Sequence, residues 1–348
     1  MKRGLLIYNP TAGQRDRRAE MKRVSERVRE RGLELINAPT DAPGHATEIV
    51  RSFLPTGLDV VVVCGGDGTI SEAACGLAGS NVPLAILPGG TSNVLGRELS
   101  IPLDLEGAAA LLFEGVPRPA RLLTANDRPF LLWAGVGLDA RIMARTLPFL
   151  KRWLGRAGIF FTVAREFFRY EFPRLEVTVD GNRHEATFAV VCHARRYAGD
   201  WIIAPEAALD SDEMDVLLFV GHSRWRLFSL FRQIQLARSG HLTRGLARTV
   251  RGRSVTVRSL ESYPVEVHVD GDCVLQTPIT CRAADATVSI LVPREEVAVE
   301  CRESRVKAPC HPERSEGSAP VNEQSRSFVA FAPQDDKRHL TVDFSVSR

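Results

Sequence analysis

Three short turns hold the residue types best suited to phosphate chemistry. They are Asn9-Pro10-Thr11-Ala12-Gly13, Gly65-Gly66-Asp67-Gly68-Thr69 and Gly89-Gly90-Thr91-Ser92-Asn93. Glycine lets a backbone approach a bound group closely, and the free N–H groups of a following helix attract phosphate. A carboxylate such as Asp67 repels a bare phosphate, so its presence predicts a metal ion or a transferable proton between them.

Each turn follows a predicted strand. Short apolar runs alternate with helix-like stretches: strands are predicted at Gly4–Tyr8, Leu33–Ile36, Leu58–Cys64 and Leu84–Leu87, and helices at Arg15–Arg31, His45–Phe53 and Thr69–Ala78. This alternation predicts an α/β fold with a Rossmann-like parallel sheet. Open α/β sheets bind ligands at the carboxyl edge of their strands, so the three turns together predict a nucleotide site.

The second half has a different pattern. From about Val116 the chain becomes rich in β-branched runs, including a hairpin around Asp180-Gly181-Asn182, with helical stretches at Leu147–Tyr170 and Arg224–Leu236. This pattern predicts an antiparallel β-rich sandwich. We expect a nucleotide domain over residues 1–122, a β-sandwich domain over 123–293 and a disordered tail over 294–348, which is Ser/Pro/Glu-rich.

Composition limits the class of protein. The 348 residues carry a net charge of +3 with 44% hydrophobic and 25% charged residues, which excludes a fibrous or wholly disordered chain. The charge is too small to indicate nucleic acid as an obligate partner. No apolar stretch approaches the ~20 residues of a membrane span, so no transmembrane segment is expected. Seven scattered cysteines without a CxxC pair, together with the absence of a signal-peptide core, predict a cytoplasmic protein.

In order and spacing, NPTAG, GGDGT and GGTSN resemble the diacylglycerol kinase catalytic family, which includes bacterial lipid kinases and sphingosine and ceramide kinases. The resemblance extends over about residues 3–293. GGDGT also occurs in NAD kinases. The downstream stretches that favour the lipid branch are Thr40 with Gly44-His45-Ala46, AGVGLDA, PEAALDSDEMD and Val269-Asp270-Gly271-Asp272.

The resemblance implies an ATP- and Mg²⁺-dependent kinase that phosphorylates a hydroxyl of diacylglycerol or a related sphingoid or ceramide-like lipid, in transient contact with the inner face of the membrane. It implies Asp272 as the general base, with Asp67 positioning the catalytic Mg²⁺ and phosphates or sharing the base role. It implies a structural Mg²⁺ on Asp212 with the carbonyl groups of Leu209 and Met214, a donor set of the oxygen type that Mg²⁺ prefers. The implied ATP contacts are Asn9, Pro10, Thr11, Ala12, Gly13, Thr40, Gly65, Gly66, Asp67, Gly68, Thr69, Ile70, Ser71 and Thr91.

Four positions depart from the family pattern. Ser71 replaces an asparagine, Val94 an aspartate, Glu213 a glycine and Asp272 a glutamate that is one methylene longer. The departures at Glu213 and Asp272 keep open a nucleotide-binding regulator that has lost transfer. The shared GGDGT motif keeps open a NAD-kinase-like kinase of a soluble acceptor. The Asn-Glu pair that NAD kinases use occurs here only at 322–323, in the predicted tail, which counts against the NAD-kinase-like alternative.

Two further stretches allow more than one interpretation. AGVGLDA, Gly135–Ala140 with the preceding alanine, mimics a dinucleotide fingerprint but is interpreted as a close-packed turn, because it lies in the β-rich half. The stripe Trp225, Phe228, Phe231 and Ile234 has helical spacing, which favours packing in the core of the second domain. Its alternative is an interfacial element that touches an anionic membrane.

Overall fold

A computed structural model describes residues 2–10, 17–145, 156–236 and 247–294. The first part is a parallel sheet in the order β2-β1-β3-β4, with helices between its strands. Its elements are β1 Lys2–Tyr8, α1 Arg18–Glu30, β2 Leu33–Pro39, α2 His45–Phe53, β3 Val60–Gly65, α3 Asp67–Gly76, β4 Leu84–Pro88, α4 Val94–Glu98 and α5 Leu105–Glu114. Every residue of β3 and β4 is buried, as expected of continuous apolar strands covered on both faces. The Rossmann-like prediction is confirmed.

Helix α3 begins two residues earlier than its hydrophobic pattern predicts. Gly66 has extended backbone and precedes the helix, so Asp67 occupies the first helical turn. A carboxylate in that turn is stabilised by the helix dipole, which the apolar spacing alone does not register.

The second part is antiparallel. A six-stranded sheet runs in the order β14-β13-β10-β7-β16-β17, and a two-stranded ribbon pairs β11 with β12. The elements are β5 Val116–Ala125, β6 Arg128–Phe130, β7 Trp133–Val136, α6 Leu138–Arg145, α7 Arg156–Arg169, β8 Leu175–Val179, β9 Asn182–Ala186, β10 Phe188–Cys192, β11 Arg196–Tyr197, β12 Trp201–Ile202, β13 Met214–Phe219, α8 Arg224–Leu236, β14 Ala247–Gly252, β15 Ser254–Ser259, β16 Glu266–Val269, β17 Asp272–Gln276 and β18 Ile279–Val292. Asp180 and Gly181, both at positive φ, form the predicted hairpin turn between β8 and β9.

The last strand returns to the first sheet. β18 pairs in parallel with β4 at Ile290 and Leu84, and antiparallel with β5 and β15. The parallel strands therefore continue into one ten-stranded sheet that also contains β8 and β9. A second apolar core forms mainly between this extension and the six-stranded sheet, which is the predicted β-sandwich.

The outcome of three further predictions depends on which residues the structure describes. The tail predicted over 294–348 lies outside them from residue 295 onward. No helix within them is both long and apolar enough to cross a bilayer. The cysteines within them are free, namely Cys64, Cys75, Cys192, Cys273 and Cys281.

Candidate active site

Two of the glycine-rich turns touch at the carboxyl edge of the parallel sheet. The N–H of Gly89 donates to the Gly65 carbonyl oxygen at 3.0 Å. A side chain on Gly90 would place its Cβ 2.6 Å from the Cα of Gly66, so this contact requires glycine. No side chain caps the N-terminus of α3, which opens at the same edge. The edge thus presents backbone N–H groups at close range, the arrangement that holds phosphate.

The first turn and Thr40 adjoin this edge. The N–H of Asn9 donates to the Cys64 carbonyl oxygen at 3.3 Å, and the N–H of Thr40 donates to the Tyr8 carbonyl oxygen at 2.9 Å. Thr11, Ala12 and Gly13 lie outside the described residues, so their predicted ATP contacts stay predictions. By contrast, the N-terminus of α2 is already occupied, because the Glu72 carboxylate accepts N–H groups from Gly44 and Ala46.

Asp67 links the two helices that follow the glycine turns. It lies in the first turn of α3, and its Oδ1 accepts the Leu95 N–H at 3.0 Å from the start of α4. Burial raises the pKa of Asp67 above its ordinary value, the nearby charge of Asp270 adds to the rise, and the N–H groups at the start of α4 oppose it. A carboxylate in this setting gains from a cation or a proton brought close to it.

Asp270 is a residue of this candidate site to which the sequence analysis assigned no role. Its carboxylate accepts the N–H groups of Leu131, Leu132 and Trp133 at 2.7, 2.9 and 2.9 Å. The Ser71 hydroxyl of α3 donates to the same carboxylate. Asp270 therefore joins the nucleotide-type edge to the β-rich part. The sequence signal that could have indicated Asp270 is the Asp270-Gly271 pair after a predicted strand. Such a pair is typical of a tight turn, which can fix the position of a carboxylate.

Asp272 stands at the surface beside this link, as the first residue of β17. Partial burial raises the pKa of Asp272, the charge of Asp270 adds to the rise, and Arg128 and His268 oppose it. Because Asp270 acts on both Asp67 and Asp272, the structure gathers three carboxylates from the two parts of the fold. The charge of Asp270 favours a proton or a cation near each of the other two carboxyl groups. Among the described residues, no three acidic, histidine or cysteine side chains are arranged to hold a metal ion by themselves.

A buried polar cluster supports the turn between Asp270 and Asp272. His268 Nδ1 accepts the Gly271 N–H at 3.2 Å, which assigns the ring proton to Nε2, the donor to Asp139 at 2.6 Å. The Tyr197 hydroxyl donates to the other Asp139 oxygen. Burial alone would raise the pKa of Asp139, but the electrostatic effect of the His268 ring and the hydrogen bonds from His268 and Tyr197 outweigh it and lower the pKa. AGVGLDA is thus a close-packed turn beneath the acidic turn, as the sequence interpretation holds.

A substitution at Gly135 tests whether this buried polar cluster supports the turn. A Cβ at Gly135 would overlap both Asp139 Oδ2 and His268 Nε2. Gly135→Ala should therefore separate the pair, lower the free energy of unfolding by about 1–3 kcal/mol and reduce activity. Urea unfolding and steady-state kinetics measure the two effects. Gly96→Ala is the matched control, since its Cβ would meet Pro88 at an ordinary 3.5 Å. Equal effects of the two substitutions would contradict the supporting role of the cluster.

The loop predicted to hold a structural Mg²⁺ has other partners. The Leu209 carbonyl accepts the Arg121 N–H at 2.6 Å. The Asp212 carboxylate faces the Arg253 guanidinium at 3.6 Å, and Glu213 lies 3.9 Å from the same group. Met214 is buried at the start of β13. The Leu209 carbonyl oxygen thus accepts one backbone N–H and the Asp212 carboxylate faces one guanidinium. The implied Mg²⁺ contacts of Leu209, Asp212 and Met214 stay predictions. Glu213 adds no backbone strain, because its φ is not positive.

The loop that contains Asp212 lies far from the carboxylates of Asp67, Asp270 and Asp272. Strand β13 lies three strands from β16 in the second sheet, or about 14 Å at ordinary strand spacing. Buried His193 spans part of this gap, with Nδ1 3.1 Å from the Leu131 carbonyl oxygen and Nε2 3.1 Å from the Ser211 carbonyl oxygen. Asp212 is therefore not part of the group formed by Asp67, Asp270 and Asp272.

Comparison with known proteins agrees with this architecture. The family model of the diacylglycerol kinase catalytic domain matches residues 3–125, and that of the YegS C-terminal NAD kinase beta sandwich-like domain matches residues 133–292. A solved structure of a diacylglycerol kinase from Bacillus anthracis str. Sterne superposes with a TM-score of 0.64 at 22% identity, covering 84% of this chain and 97% of that one. That likeness concerns the fold.

Curated relatives extend the likeness to sequence. A Pseudomonas aeruginosa (strain UCBPP-PA14) protein named "Probable lipid kinase YegS-like" is 32% identical over 216 residues, 61% of this chain and 70% of the relative. A Mycobacterium tuberculosis (strain CDC 1551 / Oshkosh) protein named "Diacylglycerol kinase" is 28% identical over 278 residues, 77% of this chain and 88% of the relative. With both halves matched and the acidic turn placed against the glycine turns, this chain belongs to the diacylglycerol kinase catalytic-domain family.

Proposed function

We propose that this protein is a lipid kinase that transfers the γ-phosphate of ATP to a lipid hydroxyl. One observation carries the proposal: the hydrogen bond from Ser71 to Asp270 joins the glycine-rich edge to the turn that holds Asp272. A phosphate donor on that edge and an acceptor hydroxyl beside Asp272 would then meet. Proximity of this kind is the main source of catalysis in phosphate transfer.

The nucleotide would bind along the edge formed by the three turns and Thr40. The backbone N–H groups of the Gly65-Gly66 turn and of the α3 N-terminus would hold its phosphates. The Mg²⁺ that accompanies ATP would offset the negative charge of the phosphates. Asp67, whose Oδ1 accepts the Leu95 N–H, would face that charged complex.

In the proposed reaction Asp272 takes the proton of the lipid hydroxyl. The hydroxyl oxygen forms a bond to the γ-phosphorus as the bond from that phosphorus to the bridging oxygen of ADP breaks. The raised pKa of Asp272 makes its carboxylate a stronger base than a solvated aspartate. Asp270 is a positioning residue, because its carboxylate is fully engaged by the three N–H groups and Ser71.

The names of the relatives favour diacylglycerol or a closely related lipid as acceptor, and we propose that the protein meets it at the inner face of the membrane. The test is incubation of the purified chain with labelled ATP and Mg²⁺, using total bacterial lipid extract and, separately, NAD. Label in a lipid is the expected result. Label in NAD instead would select the soluble-acceptor alternative, and ATP binding without transfer would select the regulator.

Substitution of Arg128 provides a way to identify the general base from the pH dependence of kcat/KM. Because Arg128 lowers the pKa of Asp272, Arg128→Met should raise that pKa further. A base works when deprotonated, so the fall of kcat/KM on the acid side should move to higher pH in the variant. The measurement is kcat/KM against pH, with Arg183→Met on the exposed strand β9 as control. Superimposable acid limbs for Arg128→Met and the wild type would argue against Asp272.

A further inference from the structure

One face of helix α8 is exposed to solvent, although the sequence analysis predicts that its aromatic stripe packs in the core. Leu227, Leu230 and Ile234 are buried at helical spacing and anchor the helix. Trp225 is 81% exposed and Phe228 51% exposed. The prediction of core packing for the whole stripe is thus wrong for these two aromatic residues. Large exposed aromatic side chains of this kind indicate an interaction surface.

The charged residues of α8 are all arginine. Arg224, Arg226 and Arg232 are exposed on α8, and the helix contains no acidic residue. Trp225, Phe228 and Arg232 follow one another at spacings of three and four residues, so they line one side of the helix. Arg232 therefore lies at one end of the row formed by Trp225 and Phe228, and Arg224 and Arg226 are the sequence neighbours of Trp225.

A second helix end contributes to the same surface. Phe168, at the end of α7, is 70% exposed and is followed by exposed Arg169. The Arg224 guanidinium donates to the Tyr170 carbonyl oxygen at 3.5 Å, which brings the end of α7 to the start of α8. The single acid of α7, Glu166, is 1% exposed and paired with arginine residues. We call the resulting surface the aromatic–arginine face: Phe168, Trp225 and Phe228 with Arg169, Arg224, Arg226 and Arg232.

We propose that the aromatic–arginine face docks the protein on the surface of an anionic phospholipid bilayer. Aromatic rings enter the boundary between head groups and acyl chains, while arginine side chains reach the phosphates. Arginine near an anionic leaflet strengthens binding further. The occupant is a bilayer because the face combines apolar rings with four cations, and the one exposed acid next to it in the sequence, Glu171, leaves a clear excess of positive charge. The inference rests on the proposed function to the extent that a lipid kinase must reach a membrane.

The test is co-sedimentation with vesicles that contain no acceptor lipid. The full chain should bind phosphatidylglycerol-rich vesicles and bind phosphatidylcholine vesicles weakly. Trp225→Ser/Phe228→Ser should lower the partition coefficient on anionic vesicles by about tenfold or more. Arg224→Gln/Arg232→Gln should lower it by about fivefold for each arginine and reduce its dependence on salt. Leu103→Ser/Leu260→Ser is the matched control, since both leucines are exposed elsewhere, at 42% and 44%.

Failure of docking and failure of the proposed function give different results. Vesicle binding is measured without catalysis, so it can succeed even if no lipid is phosphorylated. A short-chain diacylglycerol dispersed as monomers should be phosphorylated equally by the wild type and the aromatic variant, whereas vesicle-embedded lipid should not. Unchanged vesicle binding in the aromatic variant would overturn the inference. So would a variant that changes only the self-association seen by analytical ultracentrifugation, because the face would then bind a second copy of the chain.

Discussion

Replacing Asp272 with asparagine should lower the rate of phosphate transfer by about 10²–10⁴-fold, the usual contribution of a general base. Asparagine keeps the size and polarity of the side chain but cannot accept the proton of the lipid hydroxyl. Asp272 lies at the surface as the first residue of β17, so folding should be unaffected. The rate of label transfer from ATP to lipid measures the loss, and equilibrium binding of ATP should change little.

Two further variants sharpen this test. Asp127→Asn removes another exposed carboxylate, in the turn between β5 and β6, and should leave transfer unchanged. Asp272→Glu restores the longer acid of the family pattern and should retain activity. Wild-type turnover by Asp272→Asn would remove the general base from the mechanism, and an equal loss in Asp127→Asn would point to a general effect of charge.

The second large effect is expected at Asp270. Its replacement by alanine leaves the N–H groups of Leu131, Leu132 and Trp133 without their acceptor. An unsatisfied buried donor costs about 1–3 kcal/mol, so the three together should lower the free energy of unfolding by at least about 3 kcal/mol. Activity should fall as well, because the turn that carries Asp272 would lose its link to α3. Denaturant unfolding and steady-state kinetics measure the two consequences.

Controls at Asp270 separate charge from structure. Ser71→Ala removes one hydrogen bond and leaves the three N–H bonds, so its cost should be about 1 kcal/mol. Asp270→Asn removes the negative charge that raises the pKa of Asp272, so the acid limb of any remaining activity should move to lower pH. That shift is opposite to the one expected for Arg128→Met. Stability and kinetics unchanged in Asp270→Ala would contradict the linking role.

Several regular elements follow from local patterns. α2 over His45–Phe53 has the predicted bounds and α8 begins at the predicted Arg224, because their apolar spacing matches the helical repeat. The convergence of the turns after β3 and β4 follows from parallel pairing alone. The family motifs also led to Asp67 and Asp272, and the negative charge of Asp270 acts on both. Their catalytic roles stay predictions.

Local patterns could not reveal contacts between distant parts of the chain. Asp270 meets Ser71 across 199 residues and Leu131 across 139. Both contacts depend on which strands become neighbours, including the return of β18 to the first sheet. Arg253 beside Asp212 is likewise a product of strand order, since it follows β14, the neighbour of β13.

The three phosphate-type turns and the strand–helix alternation around them were determined by the sequence itself, because glycine placement and apolar spacing act within a few residues. Tertiary structure alone decided that Asp270 links the acidic turn to α3 and that His268 and Asp139 support that turn. It also decided that the side chains of Trp225 and Phe228 are exposed to solvent. The physical reason is that a carboxylate can be satisfied, or an aromatic ring left uncovered, only by the elements that packing brings beside it.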